Sequence, residues 1–265
     1  MDDLTKIPFG FRVSDQQYVD VVDVPKGKLC GCICPSCKMP LQARQGKVNQ
    51  WHFAHSSRGA SKLTEKECDF SFWVSVLSMA KQIISKGGTL TVPSCTKYLG
   101  HDEIFITDEK EVQLPELEIE KGSFDAYYCF GKYSIGLNFT TPEKEYHATY
   151  VSNKGVGVLE ISLSRALNAF FDKTRRSDFK NILKEIIFQD VDNKKWIYHP
   201  KIEYYINRYG ERLQDKPPYD LDFVLGGMGH VRLGCYECVH CKLRWRGIQE
   251  CPDCHNRNSQ VVKCR

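Results

Sequence analysis

Residues 34–55 read CPSCKMPLQARQGKVNQWHFAH. Cys34 and Cys37 form a Cys-x-x-Cys pair, and fourteen residues later His52 and His55 form a His-x-x-His pair. These are the ligand types and spacings of a structural zinc site, which is tetrahedral and closed to solvent chemistry. Cys30 and Cys32 lie just upstream, and either can stand in for a histidine. The surrounding residues 1–60 alternate short polar and apolar stretches, such as Tyr18 to Val22, and read as short strands around a knuckle.

A second cluster closes the chain. Cys238 and Cys241 are followed, after nine residues, by Cys251 and Cys254. Two Cys-x-x-Cys knuckles bring four thiolates together, leaving the metal no open position, so its role is folding. Cys235 can replace Cys238 in the first pair. The spacing resembles rubredoxin-like zinc ribbons, and iron suits the same shell. The loop between the knuckles carries Arg244, Trp245 and Arg246, a set able to stack on a base or, for the tryptophan, to cover the ribbon core.

Between the clusters the periodicity changes. Residues 67–86 place Phe70, Trp73, Val74, Leu77, Ala80, Ile83 and Ile84 at helical spacing, and Gly87-Gly88 ends the run. Strand-like runs follow at Thr89–Val92, Glu103–Ile106, Val112–Ile119, Phe124–Phe130, Tyr133–Phe139 and Val156–Leu163, with a tight turn at Gly131-Lys132. Helical spacing returns over 165–188. Helix, sheet and helices predict an α/β core of a mixed sheet flanked by helices. The expected organisation is an N-terminal zinc module at 1–60, a core at 61–200, a connector at 201–234 and a zinc ribbon at 235–265. The glycines at 226, 227 and 229 read as a hinge.

Composition narrows the class. The chain has 265 residues, 42% of them hydrophobic and 26% charged, enough to bury a core. No run of about 18 apolar residues suggests a membrane span, and Met1 to Leu4 does not begin a signal peptide. The expected location is a reducing cytoplasm, where thirteen cysteines are not expected to form disulfides and the clustered ones read as metal ligands. A net charge of +4 permits nucleic-acid contact without demanding it. Arg175, Arg176 and Lys180 lie in a basic run on the later helices that can meet phosphates. A Gly-rich phosphate loop, a Gly-x-Ser-x-Gly elbow and a His-Glu-x-x-His helix are all missing, which argues against an ATPase, a serine hydrolase and a zinc protease.

The string from Cys34-Pro35-Ser36-Cys37 to Trp51-His52-Phe53-Ala54-His55 resembles the N-terminal module of the CoiA-like competence proteins. That resemblance implies a restriction-endonuclease-like core of the PD-(D/E)xK type over the middle of the chain. Such a core needs an Asp on one strand and Glu-x-Lys on the next to hold Mg²⁺. Asp125 falls on the family's Asp position. The Glu position falls on Gly136 and the Lys position on Asn138, so the core is expected not to cut alone. Glu67, Glu118, Glu120 and Glu160 are the carboxylates available to take over. The resemblance implies DNA uptake, recombination or defence against foreign DNA, with DNA and a protein partner. The alternatives are an active Mg²⁺-dependent nuclease and a zinc-stabilised adaptor that does not touch DNA.

Overall fold

A computed structural model describes residues 6–56, 68, 71–99, 102–117, 124–144, 155–172, 178–214 and 234–263. They form a mixed α/β structure with more strand than helix. Two compact units result: Met1–Thr91 with Glu111–Val151 and Val158–Lys195, and Val92–Lys110 with Ser152–Gly157 and Trp196–Arg265. Among the described residues no helix is long and apolar enough to cross a membrane.

The first unit begins with β1 (Phe9–Arg12), which pairs antiparallel with β2 (Gln17–Asp20) and with β3 (Cys32–Ile33). Strands β4 (Leu41–Arg44) and β5 (His52–His55) form an antiparallel hairpin. Ile7, Val19, Val21, Leu41, Ala43 and Phe53 fill the small core between these layers. Helix α1 (Ser71–Ser85) buries Phe72, Trp73, Val76, Met79, Ala80, Ile83 and Ile84. That is one continuous face at i, i+1, i+4, i+7 and i+8. Val74, counted with that face in the sequence reading, is exposed, and Phe70 lies outside the described residues. Gly87 stops the helix at φ +71, where an added Cβ would also meet the Leu114 carbonyl at 2.6 Å.

The N-terminal strands dock on the helices of the same unit. The Gln82 side chain of α1 accepts from Tyr18 N at 2.7 Å and donates to Tyr18 O at 2.8 Å. Phe9 stacks on Phe179 at 5.2 Å between ring centroids, and Phe170 bridges Phe179 to Phe72. The described residues 6–56 therefore share a core with the helices instead of standing apart from them.

Five strands follow: β6 (Gly88–Val92), β7 (Cys95–Leu99), β8 (Asp102–Thr107), β9 (Lys110–Leu114) and β10 (Ala126–Phe130). Strand β11 (Tyr133–Thr140) pairs antiparallel with β10 across a turn at Gly131, whose φ is +62. With β12 (Val156–Ser162) and β13 (Lys194–Tyr198) they make a four-stranded sheet ordered β10-β11-β12-β13. Helices α2 (Arg165–Phe171) and α3 (Phe179–Phe188) supply Ala166, Phe170, Phe179, Leu183 and Ile187 to the buried core. Mixed α/β architecture is thus as expected.

The second unit departs from the expected connector and separate ribbon. Residues 201–214 form helix α4 (Lys201–Gln214). Strands β14 (Gly234–Cys238), β15 (Arg244–Gly247) and β16 (Ser259–Val261) carry the C-terminal cysteines. They continue into a five-stranded sheet ordered β16-β14-β15-β8-β7, with Trp245 opposite Ile104 and Arg246 opposite Glu103. The ribbon has no free edge at β15, because β8 completes its hydrogen bonds. The hinge glycines at 226, 227 and 229 lie outside the described residues.

Candidate metal centres and the nuclease-like position

The three Cys-x-x-Cys turns have one geometry. At the first, Lys38 N–H donates to Cys34 O at 3.0 Å and Cys34 N–H to Met39 O at 2.8 Å. At the second, Lys242 donates to Cys238 O at 3.0 Å and Cys238 to Leu243 O at 2.8 Å. At the third, His255 donates to Cys251 O at 3.0 Å and Cys251 to Asn256 O at 3.0 Å. Lys38, Lys242 and His255 all take positive φ, at 63, 61 and 54 degrees. Left-handed backbone at a side-chain-bearing residue costs about 1 kcal/mol or more. Its recurrence after each cysteine pair shows that the pairs, and not the residues filling them, set the turn.

The C-terminal grouping joins Cys238, Cys241, Cys251 and Cys254, whose sulfurs all lie within 4.8 Å of one another. Cys238 lies 3.4 Å from Cys254, and Cys241 3.5 Å from Cys251. A tetrahedron of Zn–S bonds of about 2.3 Å has edges of about 3.8 Å, so the shell is near the required size. Burial pushes the Cys238 thiol up, but the N–H groups of Cys241 and His240 and the neighbouring thiols outweigh it and bring it down to about 7. Cys251 is pushed up to about 11, chiefly by burial. Cys235 is disulfide-bonded and outside the shell, which corrects the expectation that every cysteine is reduced. Arg208 of α4 holds the buried Asp253 carboxylate between Cys251 and Cys254, with nitrogen–oxygen distances of 3.2 and 3.0 Å. Tyr205 of α4 packs on the same core.

The N-terminal grouping is Cys34, Cys37, His55 and Cys68. Cys37 Sγ is 3.3 Å from His55 Nε2, and Cys34 Sγ is 4.0 Å from Cys68 Sγ. Burial raises the Cys34 and Cys68 thiols and lowers His55, which keeps the imidazole neutral and its nitrogen available. A bound dication reverses the thiol effect by favouring thiolate. His52 does not join the shell. It sits on β5 with His55, and residues three apart on a strand point to opposite faces. Its Nδ1 instead lies 2.7 Å from Gln50 O. Cys30 and Cys32 are also outside, their S–H groups directed at Leu41 O and Cys30 O. Cys68, thirteen residues after His55, is the member of this grouping that the sequence reading missed. No sequence signal singled it out, because Cys95 and Cys129 stand equally isolated in the chain.

Asp125 is buried at the start of the β10–β11 hairpin. Its Oδ2 accepts from Phe139 N at 2.8 Å, its Oδ1 is 2.9 Å from Lys81 Nζ, and Lys144 Nζ lies 3.4 Å from both oxygens. Gly136 pairs with Tyr127, and a Cβ there would stand 2.4 Å from the Phe124 ring. Asn138 is buried, and among the described residues its Nδ2 has no hydrogen-bond partner. Glu160 is half-buried on β12, and among the described residues no carboxylate joins Asp125 in a metal-capable group of three. Glu67, Glu118 and Glu120 lie outside the described residues, as do Arg175 and Arg176.

The remaining basic candidates are mostly engaged. Lys180 pairs with Asp23 at 3.1 Å, and Arg244 pairs with Asp108 at 2.7 Å above the Phe105 ring. Trp245 is fully buried, and its Nε1 donates to Ile248 O at 2.8 Å, so it covers the ribbon core and does not stack on a base. Arg246 is exposed.

Residues 25–64 match the family described as Competence protein CoiA, N-terminal domain. The match takes in Cys34, Cys37 and His55, and stops four residues short of Cys68. No curated protein and no solved structure matches the chain. The CoiA match thus covers the module around the first metal grouping and does not reach the β10–β11 hairpin.

Proposed function

We infer that this chain is a competence-type, nucleic-acid-handling protein, folded around two structural zinc ions and lacking nuclease activity of its own. Cys34, Cys37, His55 and Cys68 hold one zinc, and Cys238, Cys241, Cys251 and Cys254 the other. The common knuckle geometry and the near-tetrahedral sulfur spacings support this. The CoiA match supports a role in DNA uptake. Under this reading the middle of the chain is a restriction-endonuclease-like scaffold that binds DNA together with a protein partner.

One observation carries the non-cutting part of the reading. Asp125 already faces the ammonium groups of Lys81 and Lys144 and accepts from Phe139 N–H. A Mg²⁺ site needs carboxylate oxygens free to face the ion, usually from more than one residue. The test combines plasmid cleavage in Mg²⁺ or Mn²⁺ with oligonucleotide binding across a salt series. Binding that weakens with salt, without cleavage, is the expected result. Cleavage abolished by Asp125→Ala would instead make the chain an Mg²⁺ nuclease that borrows Glu67, Glu120 or Glu160. Absence of any nucleic-acid binding would leave the zinc-stabilised adaptor.

A further inference from the structure

The β4–β5 hairpin has two chemically different ends. Leu41 faces His55 at the end that carries the first metal grouping. Arg44 faces His52 at the other end, which opens into a cavity of about 490 Å³. That volume falls in the range of about 300–1,000 Å³ typical of small-ligand sites and has room for a nucleoside monophosphate.

The lining is unusual in charge. Lys26, Arg44 and Lys47 border the cavity, and no Asp or Glu lines it. Lys26 and Arg44 form no ion pair among the described residues. By contrast, Arg12, Arg165, Arg208 and Arg244 each hold an aspartate. A concave surface with cations of one sign and no carboxylate concentrates positive potential and attracts an anion. The rest of the wall includes the amides Gln42, Asn49 and Gln50. A bare phosphate has no use for several amides, whereas a nucleobase edge presents donors and acceptors that Asn and Gln match.

The wall is held in place. Gln45 Nε2 donates to Val21 O at 2.5 Å and Val24 O at 3.0 Å. Trp51 Nε1 donates to Gly46 O at 2.8 Å, and Gly27 and Ala43 exchange two backbone bonds of 2.8 and 3.0 Å. The carbonyl of Gln50 can only accept, so the His52 Nδ1 beside it carries the proton. A site fixed before binding loses little to ordering.

We propose that this cavity binds one nucleotide unit of a single-stranded nucleic acid, with Lys26, Arg44 and Lys47 on the phosphates and the amides on the base. A single strand fits because only an unstacked base can be turned into a pocket. The proposal goes beyond the functional reading above, which assigns nucleic acid to no particular surface.

The test uses the zinc-loaded full chain and a fluorescein-labelled, mixed-sequence single strand, read by anisotropy over a salt series. Arg44→Ala with Lys47→Ala, both exposed positions, should weaken binding about tenfold or more. The same pair should flatten the logarithmic salt slope by about 1.4, at about 0.7 per phosphate contact. Lys132→Ala with Lys195→Ala removes equal charge at exposed sites away from the cavity and should change neither. Gln42→Ala with Asn49→Ala should alter the preference among homopolymers and leave the slope alone. Competition with adenosine and thymidine monophosphates separates the two sources: weak competition points to a strand, and competition as tight as the strand points to a free nucleotide in the same pocket. Unchanged strand binding by the Arg44 and Lys47 variant, or equal losses in both lysine-containing pairs, would overturn the cavity and leave the nucleic-acid reading standing. Failure of the unaltered chain to bind any strand or nucleotide would overturn both.

Discussion

Lys81 on α1 places its ammonium 2.9 Å from the carboxylate of Asp125 at the head of the β10–β11 hairpin. Asp125 is 7% exposed and Lys81 37%, so the pair is protected on one side and wet on the other. Lys81→Met should lower stability by about 1–2 kcal/mol, less than for a fully buried pair, because Lys144 and Phe139 N–H still serve the carboxylate. Chemical denaturation measures it. A neutral or stabilising outcome would mean that the Lys81 pair does not help hold the hairpin to α1.

Rebuilding the nuclease signature should fail for a steric reason. Gly136→Glu with Asn138→Lys puts a Cβ 2.4 Å from the Phe124 ring, and a lysine where Asn138 is 3% exposed. Overpacking of this kind costs typically about 1–3 kcal/mol, and the buried ammonium adds to it. The variant is expected to be less stable and inactive on plasmid DNA. Pairing it with Phe124→Ala, which opens the space, should recover folding without recovering cleavage. Recovered cleavage would revive the enzyme.

Zinc content separates the two candidate ligand sets at the N-terminal site. The unaltered chain should carry about two equivalents. Cys68→Ser should lose about one, while His52→Asn should retain both, because His52 faces away from the shell. Elemental analysis after gel filtration decides it, and the reverse pattern would restore the His-x-x-His pair.

The ribbon should not unfold by itself. Trp245 pairs with Ile104, and Arg208 grips Asp253 inside the third knuckle. Cys251→Ser should therefore reduce hydrogen-exchange protection in Asp102–Thr107 and on α4 as well as over 234–263. Loss confined to 234–263 would show that the ribbon is a separate folding unit.

His199 is buried, and burial first, then Lys201 and Lys110, lowers its pKa to about 4. Its unfolded value is near 6.5, so between about 4 and 6.5 the unfolded chain binds the extra proton. Stability from this residue is therefore present above about 6.5 and is lost as pH falls toward 4. His199→Asn keeps an acceptor for the Lys201 N–H, now met by His199 Nδ1 at 3.2 Å. The variant should lose on the order of 2 kcal/mol less than the unaltered chain over that interval. Denaturation at matched pH values tests the difference, in which the acid sensitivity of the metal sites cancels. Parallel curves would exclude His199 as an acid trigger.

What the amino-acid order determined by itself was local. Each Cys-x-x-Cys pair makes its own turn, helix α1 follows from apolar spacing, and the β10–β11 hairpin follows from Gly131. These depend on contacts a few residues apart, which periodicity and turn chemistry report. Tertiary structure decided what depends on distant partners. A His-x-x-His pair looks like two ligands until the segment is known to be a strand, which turns His52 away and leaves the place for Cys68. The edge of β15 looks free until β8, about 140 residues earlier in the chain, pairs with it. Asp125 reads as a lone strand-end carboxylate until folding brings Lys81 and Lys144 against it. In each case the deciding group is remote in sequence, and its approach is set by burial of apolar faces that carry no information about the polar groups they bring together.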